Sequence, residues 1–371
     1  MTKILFLIHD LGHGGAEKVL VNLVNNMDPE KFDITVQTLF DVGENRQFLK
    51  PHIRYIGGYK RDFPGNSHVM KLATPKQLHK MLIKEYYDIE VAYLEGPAAR
   101  VISGCQDEKT KTVCWIHCTM SSQKEVAQSF RNYKEAVLCY KNFNKMVFVS
   151  EGVKKAFLEN CPVVEEKSAV LYNINESDVI LGKAAENVEV GVFESDCFNW
   201  CSVGKLLPNK GFDRMLRIQK RLLDEGYKVH FYALGVGEQQ AELEQYCKDN
   251  GIAENVTFLG YQLNPYKYVT RCDLYVCASH AEGFSTAATE ALIVGTPVVT
   301  TKVSGMEEML GSNNEFGIIT DNDENALYEG IKKLLDHKEL YKHYKEQAAI
   351  RGKDFSTEKT VAAVERMLEE L

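Results

Sequence analysis

Short apolar runs alternate with amphipathic stretches along almost the whole chain. In the first half the runs are ILFLI (4–8), DITVQTLF (33–40), IRYIG (53–57), IEVAYLE (89–95), KTVCWIH (111–117), KMVFVS (145–150) and SAVLYN (168–173). Their Val, Ile, Leu and Tyr residues are continuous rather than strictly alternating, the pattern of strands covered on both faces. Helix-period stretches lie between most of them, at 16–27, 75–87, 125–140 and 151–159. The rhythm lapses over 176–196, a mixed acidic segment read as a linker with room for a helix of its own. It restarts with strands at 199–206, 228–235, 256–260, 274–279, 297–301 and 316–320. Helices are predicted at 212–226, 238–250, 265–271, 285–294, 323–336, 338–350 and 357–370. Strand–helix alternation on this scale predicts two α/β domains in tandem, each a doubly wound parallel sheet, over 1–175 and 197–354. A ligand is expected in the cleft between their strand C-termini.

Composition narrows the class. The 371 residues are 44% hydrophobic, 26% charged and 10% aromatic, with 9 Pro, which excludes disordered and collagen-like chains. No apolar run approaches the roughly 18–20 residues of a membrane span. The first run is too short for a signal peptide and meets His9 and Asp10, so it reads as a buried strand. The ten Cys are scattered. Cys114 and Cys118 flank His117 without a second ligand pair, so no metal site is expected there, and reduced thiols in a cytoplasmic setting are the default. A net charge of −8 argues against nucleic acid as a partner. The charge is uneven: residues 1–175 carry 23 Lys and Arg against 20 Asp and Glu, and 176–371 carry 21 against 32. A more basic first half facing an anionic surface and an ordinary solvated surface both account for that imbalance.

Three motifs carry chemistry. The first run leads into LGHGGAEKVL, where Gly12, Gly14 and Gly15 precede a helix. Glycines there let the backbone approach an anion that a helix N-terminus favours, although a plain strand–helix turn would look the same. The dinucleotide fingerprint fails at its third glycine, which is Glu17, and no G-K-[ST] follows, so neither a nicotinamide site nor a P-loop is present. The second half opens with VGKLLPNKGFDRML. Lys205 and Lys210, five positions apart across a strand–loop–helix junction eased by Gly211, suit a diphosphate; two solvated lysines are the other reading. The third motif is SHAEGFSTAATEALIVGTPVV. Glu282 stands in a loop after a strand, and Gly283, Phe284 and Ser285 lead into a helix. Glu290 lies within that apolar helix, where a carboxylate is costly unless something pairs with it, and sugar hydroxyls would. Backbone N–H groups near Ser285–Ala287 point where a phosphate would sit.

Taken in order, Lys205, Lys210-Gly211, Glu282-Gly283-Phe284, Glu290 and Gly295-Thr296-Pro297-Val298-Val299 resemble the signature of the retaining glycosyltransferases of family 4. That family has two Rossmann-like domains facing a central cleft, the GT-B fold. Gly14-Gly15-Ala16-Glu17 matches its glycine-rich loop, and Gly260-Tyr261 the loop that borders the nucleotide base. LGVGEQQAEL (234–243), with Gly235, matches a neighbouring block. The resemblance is strong over 198–302 and looser but collinear over 1–175. It implies that the last helix crosses back, so that about 355–371 joins the first domain, the acceptor side, while 197–354 binds the donor.

The resemblance also implies roles. Lys205 and Lys210 neutralise the donor diphosphate, Glu290 accepts bonds from the ribose hydroxyls, and Glu282 fixes the hydroxyls of the transferred sugar. Gly15 and the backbone around Phe284, Ser285 and Thr286 bind phosphate or sugar. His117 matches an active-site His near the donor sugar. Lys205 stands where Arg is common in the family, which forfeits bidentate geometry. Ser150-Glu151 opens the next helix and is expected to cap it. Glu95, at the end of IEVAYLE, is the acceptor-side candidate. The broken bond is sugar C1 to diphosphate oxygen, through an oxocarbenium-like transition state. Two lysines and a helix N-terminus supply positive potential where charge develops, so no metal is expected. Closure of the domains would complete the site. The expected donor is a UDP-sugar carrying a hexose or N-acetylhexosamine. The expected acceptor is a saccharide, with a polyprenyl diphosphate carrier as in bacterial surface polysaccharide assembly. Tyr59-Lys60-Arg61-Asp62-Phe63 fits peripheral contact with the inner face of the plasma membrane, as it fits an ordinary polar loop. A nucleotide-sugar epimerase or phosphorylase, or a binding module without activity, remains the alternative on fold alone.

Overall fold

Ile4, Leu5, Phe6, Leu7 and Ile8 are all fully buried, as the continuous apolar run demands. They belong to β1 (Thr2–Ile8), an inner strand of the first of two parallel sheets. The computed structural model describes residues 1–12, 14–60, 70–162, 165–189, 191–193 and 196–371. The chain divides into two compact units, Met1–Ile174 with Thr357–Leu371, and Asn175–Ser356.

In the first unit β1 is followed by α1 (Gly15–Asn26), β2 (Phe32–Thr38), β3 (Arg54–Ile56), α2 (Pro75–Leu82), β4 (Ile89–Ala92) and α3 (Pro97–Ile102). Then come β5 (Lys111–Ile116), α4 (Gln123–Val126), α5 (Tyr133–Lys141), β6 (Lys145–Phe148), α6 (Glu151–Asn160) and β7 (Ser168–Val170). The strand order is β3-β2-β1-β4-β5-β6-β7, so the winding reverses beside β1, where the ends of β1 and β4 part and leave room for a ligand. The predicted helix 125–140 is two helices. Asn132 ends the run between them because its side chain accepts the Glu135 N–H at 2.9 Å and caps α5. The predicted 75–87 stops at Leu82, where Ile83 turns extended toward β4. Ser150 caps α6, its hydroxyl accepting the Val153 N–H at 3.1 Å. Of the segment expected to meet a membrane, Arg61, Asp62 and Phe63 lie outside the described residues.

The second unit runs α7 (Ser177–Ala184), β8 (Phe198–Val203), α8 (Phe212–Asp224), β9 (Val229–Leu234), α9 (Gln240–Asp249) and β10 (Val256–Gly260). It continues with α10 (Tyr266–Val269), β11 (Leu274–Cys277), α11 (Thr286–Ile293), β12 (Val298–Thr301), α12 (Met306–Leu310) and β13 (Ile318–Thr320). Helices α13 (Glu324–Asp336) and α14 (Lys338–Gly352) complete it. The order β10-β9-β8-β11-β12-β13 reverses between β8 and β11. Residues 176–196, read as a linker, contribute α7, whose Ile180 and Ala184 are buried. Trp200 and Gln219 lock α8 to the sheet. The indole N–H donates to Gln219 Oε1 at 2.8 Å, and the Gln219 amide donates to the carbonyls of Val229 and Asn255 at 3.0 and 2.9 Å. Every polar atom of a fully buried glutamine is thereby used, which avoids a desolvation penalty of about 1–3 kcal/mol per orphaned group. The final helix α15 (Thr357–Glu369) belongs to the first unit, where Glu365 accepts the Asp28 N–H at 2.7 Å and Glu369 pairs with Lys31 at 3.0 Å.

Candidate active site

The site in the second unit begins where β8 and β11, neighbours in the sheet, run out. After β8 the chain makes a 3₁₀ turn at Pro208–Lys210 and enters α8 through Gly211 at φ +70°. Gly211 is required twice over. The left-handed conformation penalises other residues, and a Cβ there would overlap the Ala278 carbonyl oxygen and the Arg214 guanidinium. That close approach brings the loop after β8 onto the loop after β11. Arg214, 3% exposed, donates from Nε to the Ala278 carbonyl at 2.7 Å and from Nη2 to Asn322 Oδ1 at 3.0 Å. Asn322 in turn donates to the His280 carbonyl at 3.0 Å, and the His280 N–H donates to the Asn209 carbonyl at 2.8 Å.

This bracing sets Lys210 against Glu282. The ammonium lies 2.6 Å from Glu282 Oε1, and the Ser279 hydroxyl donates to the same oxygen at 2.7 Å. Both side chains keep a window to solvent, 28% for Lys210 and 15% for Glu282. Three residues on, Ser285 caps α11 by accepting the Ala288 N–H at 3.3 Å, so the positive end of that helix follows directly on the pair. Glu290, 7% exposed, lies about one turn into α11 and accepts a bond from the Tyr266 hydroxyl at 3.2 Å. Phe284 is buried against Phe355, ring centroids 6.1 Å apart. Gly305, at φ +81°, lets the turn after β12 press on Phe284, whose ring would stand 2.8 Å from a Cβ. The half-buried Gly283 and Thr286 flank Phe284 and Ser285 in the same turn.

Glycines form the rest of this edge. Gly235 at φ +141° donates its N–H to the Gly260 carbonyl at 2.8 Å, and a Cβ on it would overlap the Gly204 carbonyl oxygen. The ends of β8, β9 and β10 therefore meet with bare backbone. Tyr261 follows, 58% exposed, and Lys205 is exposed after β8 with no ion pair among the described residues. The structure thus brings Lys210, Glu282, Gly283, Phe284, Ser285, Thr286 and Glu290 together on the β8 and β11 side, with Lys205, Gly235, Gly260 and Tyr261 along the β8–β10 edge. Arg214, Ser279, Tyr266, Asn322 and Gly305 were not anticipated. Only Gly305 carries a sequence signal, a glycine after a strand; the others are polar residues that only the fold makes buried partners.

In the first unit, His117 and Glu95 are joined. The His117 backbone N–H donates to Glu95 Oε2 at 2.8 Å. The imidazole is 9% exposed, lies 4.9 Å from the Tyr93 ring and 6.4 Å from Trp115, and its Nε2 has no hydrogen-bond partner among the described residues. Burial pulls its pKa down to about 3, so the ring is neutral. Burial also raises the Glu95 carboxyl, against the N–H donors of His117 and Cys118 that favour its charge. The helix expected after these glycines starts one residue earlier, with Gly14 at its N-cap and Gly15 its first residue. The place of an anion there is contested, since a Cβ at Gly14 would overlap the Glu17 carboxylate. Asp10 holds the same loop, accepting the Gly12 N–H at 2.7 Å.

Both units match known protein families. The family model of glycosyl transferases group 1 matches residues 186–351, and that of glycosyltransferase family 4 matches residues 13–174. The chain is 28% identical over 362 residues to the N-acetylgalactosamine-N,N'-diacetylbacillosaminyl-diphospho-undecaprenol 4-alpha-N-acetylgalactosaminyltransferase of Campylobacter jejuni, covering 96% of each. It is 22% identical over 366 residues to an uncharacterized glycosyltransferase of Haemophilus influenzae, covering 97% of this chain and 98% of the other. Among solved structures, HepE of Anabaena in complex with UDP superposes with a TM-score of 0.79 at 21% identity, covering all of both chains. A glycosyltransferase of Rickettsia africae gives 0.76 at 16% identity, over 100% of this chain and 98% of that one.

Proposed function

The chain belongs to the group 1 glycosyl transferases of family 4, with the GT-B fold, and on that footing we propose retaining, metal-independent transfer from a UDP-sugar to a lipid-linked saccharide. The sugar moved is a hexose or N-acetylhexosamine, and the acceptor is carried on a polyprenyl diphosphate. The observation that carries this reading is the Lys210–Glu282 pair, held at 2.6 Å immediately before the N-terminus of α11 with buried Glu290 in the same helix. A cation and a helix N-terminus suit the diphosphate at the middle of a sugar nucleotide, and the two carboxylates suit the groups on either side of it, Glu290 the ribose and Glu282 the hexose.

As the C1–oxygen bond breaks, negative charge gathers on the diphosphate. Lys210, Lys205 and the first turn of α11 meet it, and one such preorganised donor is worth about 10²–10³ in rate. That is the work a divalent ion would otherwise do. Glu290 takes the ribose hydroxyls and Glu282 the hydroxyls of the sugar. In the first unit, neutral His117 offers its unpartnered Nε2 to a sugar hydroxyl, and Glu95 faces the acceptor.

A lipid-borne acceptor implies a membrane, and residues 70–84 support one. They hold Lys71, Lys76, Lys80 and Lys84 and no Asp or Glu. Arg100 binds the carbonyls of Met70 and Ala73 at 2.7 and 2.8 Å, and Arg131 binds those of Lys71 and Leu72 at 2.6 and 2.9 Å. The backbone is thus fixed while Leu72 stays 82% and Met81 55% exposed. A lysine near an anionic bilayer gains about 1 kcal/mol. The contact proposed is peripheral, and among the described residues no helix is long and apolar enough to cross a membrane. The Campylobacter relative is named for a diphospho-undecaprenol substrate, which fits this acceptor class.

The test is transfer from labelled UDP-hexoses and UDP-N-acetylhexosamines to synthetic polyprenyl diphosphate saccharides in chelator. The expected product keeps the donor's anomeric configuration. An inverted product, or transfer only with added Mg²⁺ or Mn²⁺, overturns the mechanism; flotation with anionic vesicles, lost in Lys76→Glu/Lys80→Glu, tests the membrane face.

A further inference from the structure

A second convergence of donor atoms lies in the first unit, on β4 at the end opposite to Glu95. Glu90 is 2% exposed in the middle of the sheet, paired in register with Leu5 of β1 and Thr112 of β5. A carboxylate there is costly unless it is neutralised or coordinated. His79, from the last turn of α2, places Nε2 at 2.8 Å from Glu90 Oε2. Cys105, just past α3, completes the group: the His nitrogen, carboxylate oxygen and thiol sulfur all lie within 4.8 Å of one another. The approach is built into the backbone. A Cβ on Gly104 would overlap the Pro75 carbonyl, so only glycine lets the chain after α3 cross the start of α2 and deliver Cys105.

We propose that His79 Nε2, Glu90 Oε2 and Cys105 Sγ bind one zinc-class divalent cation. The donor set selects the ion. Imidazole and thiolate with one carboxylate suit Zn²⁺, whereas Mg²⁺ and Ca²⁺ take oxygen ligands. Zinc–ligand bonds of about 2.0–2.3 Å in a tetrahedron separate the ligands by roughly 3.3–3.8 Å. The three atoms already fall within 4.8 Å, and the His79–Glu90 contact need open only by roughly half an ångström. The fourth position is left for water. The three ligands come from α2, β4 and the end of α3, so the ion staples both helices to the sheet. Because the ligands come from three elements, the free energy of metal binding becomes free energy of folding. The inference is independent of the transfer reaction, because the site uses no residue assigned to donor or acceptor.

The experiment titrates tag-free, metal-stripped full-length protein with Zn²⁺ alone by calorimetry, and with Co²⁺ by absorption. One equivalent of Zn²⁺ should bind and raise the melting temperature. Co²⁺ should give a thiolate charge-transfer band. Cys105→Ser should abolish that band, and Cys105→Ser and His79→Gln should each weaken Zn²⁺ binding by at least about 10-fold. Cys118→Ser, which removes the exposed thiol, should leave the band and the affinity intact. Absence of stoichiometric Zn²⁺ binding, a Co²⁺ complex without thiolate absorption, or unchanged affinity in Cys105→Ser overturns the proposal. Should the variants not fold, the wild-type stoichiometry and the Co²⁺ spectrum decide it. UDP binding measured on the stripped protein keeps this outcome separate from that of the donor site.

Discussion

Glu282→Gln should tighten the binding of UDP, although it alters a residue assigned to the donor site. Lys210 is held by Glu282 at 2.6 Å, on an oxygen that also takes the Ser279 hydroxyl at 2.7 Å. A diphosphate therefore competes with a carboxylate for the same ammonium. Two unit charges about 4 Å apart attract by about 1 kcal/mol in water and about 4 kcal/mol at the intermediate dielectric near a protein surface. With 28% and 15% of these side chains exposed, the lower figure applies after screening. Glutamine keeps the shape and an acceptor for Ser279 but removes the charge, releasing about 1 kcal/mol, roughly a fivefold gain for UDP. The same change costs the intact UDP-sugar its carboxylate bond, so the preference for UDP-sugar over UDP should fall. Lys210→Ala should do the reverse, weakening UDP by about fivefold or more, since a charge-assisted bond of about 1.5–3 kcal/mol is lost and only part is offset. Calorimetry of the three proteins in chelator, with melting curves to confirm folding, reads all of this. Weaker UDP binding by Glu282→Gln, or unchanged binding by Lys210→Ala, refutes the reasoning.

Gly211→Ala should destabilise the second unit by about 1–3 kcal/mol, because φ +70° is strained for alanine and its methyl meets the Ala278 carbonyl. Chemical denaturation would show it, and a change under about 0.5 kcal/mol would deny the close approach. His117 binds no proton in the folded state until the pH nears 3, whereas in the unfolded chain it titrates near 6.5. Its contribution is thus full above pH 6.5 and lost as the pH falls toward 3, costing about 1 kcal/mol between pH 6.5 and 5.5. His117→Gln should remove that part of the acid sensitivity; parallel pH–stability curves for wild type and variant would contradict the neutral, buried ring.

The sequence displays the sheets well and the site unevenly. Buried strands announce themselves because a run such as Ile4–Ile8 has no polar alternative, and Lys210, Glu282 and Glu290 stand out as charges at strand ends or in an apolar helix. What brings them together is less visible. Arg214 lies among Asp213 and Arg217 on what reads as the wet face of α8, yet it is buried and braces both loops. The helices α3 and α12, of six and five residues, are too short to show a period. The pause at Asn132 and the stop after Leu82 depend on a cap and on the approach to β4, which periodicity does not register. The Glu17 carboxylate at Gly14 was likewise hidden, since its sequence position alone reads as ordinary first-turn acid.

The most direct test of the donor site is titration of UDP into the chelator-treated protein and into Glu290→Gln. Glu290 is 7% exposed, receives the Tyr266 hydroxyl, and is assigned to the ribose. The account predicts one UDP per chain without metal, and a loss of about 10- to 150-fold in the variant, the worth of a charge-assisted bond. Folded protein that binds no nucleoside diphosphate, or a variant that binds UDP as tightly as wild type, would contradict it.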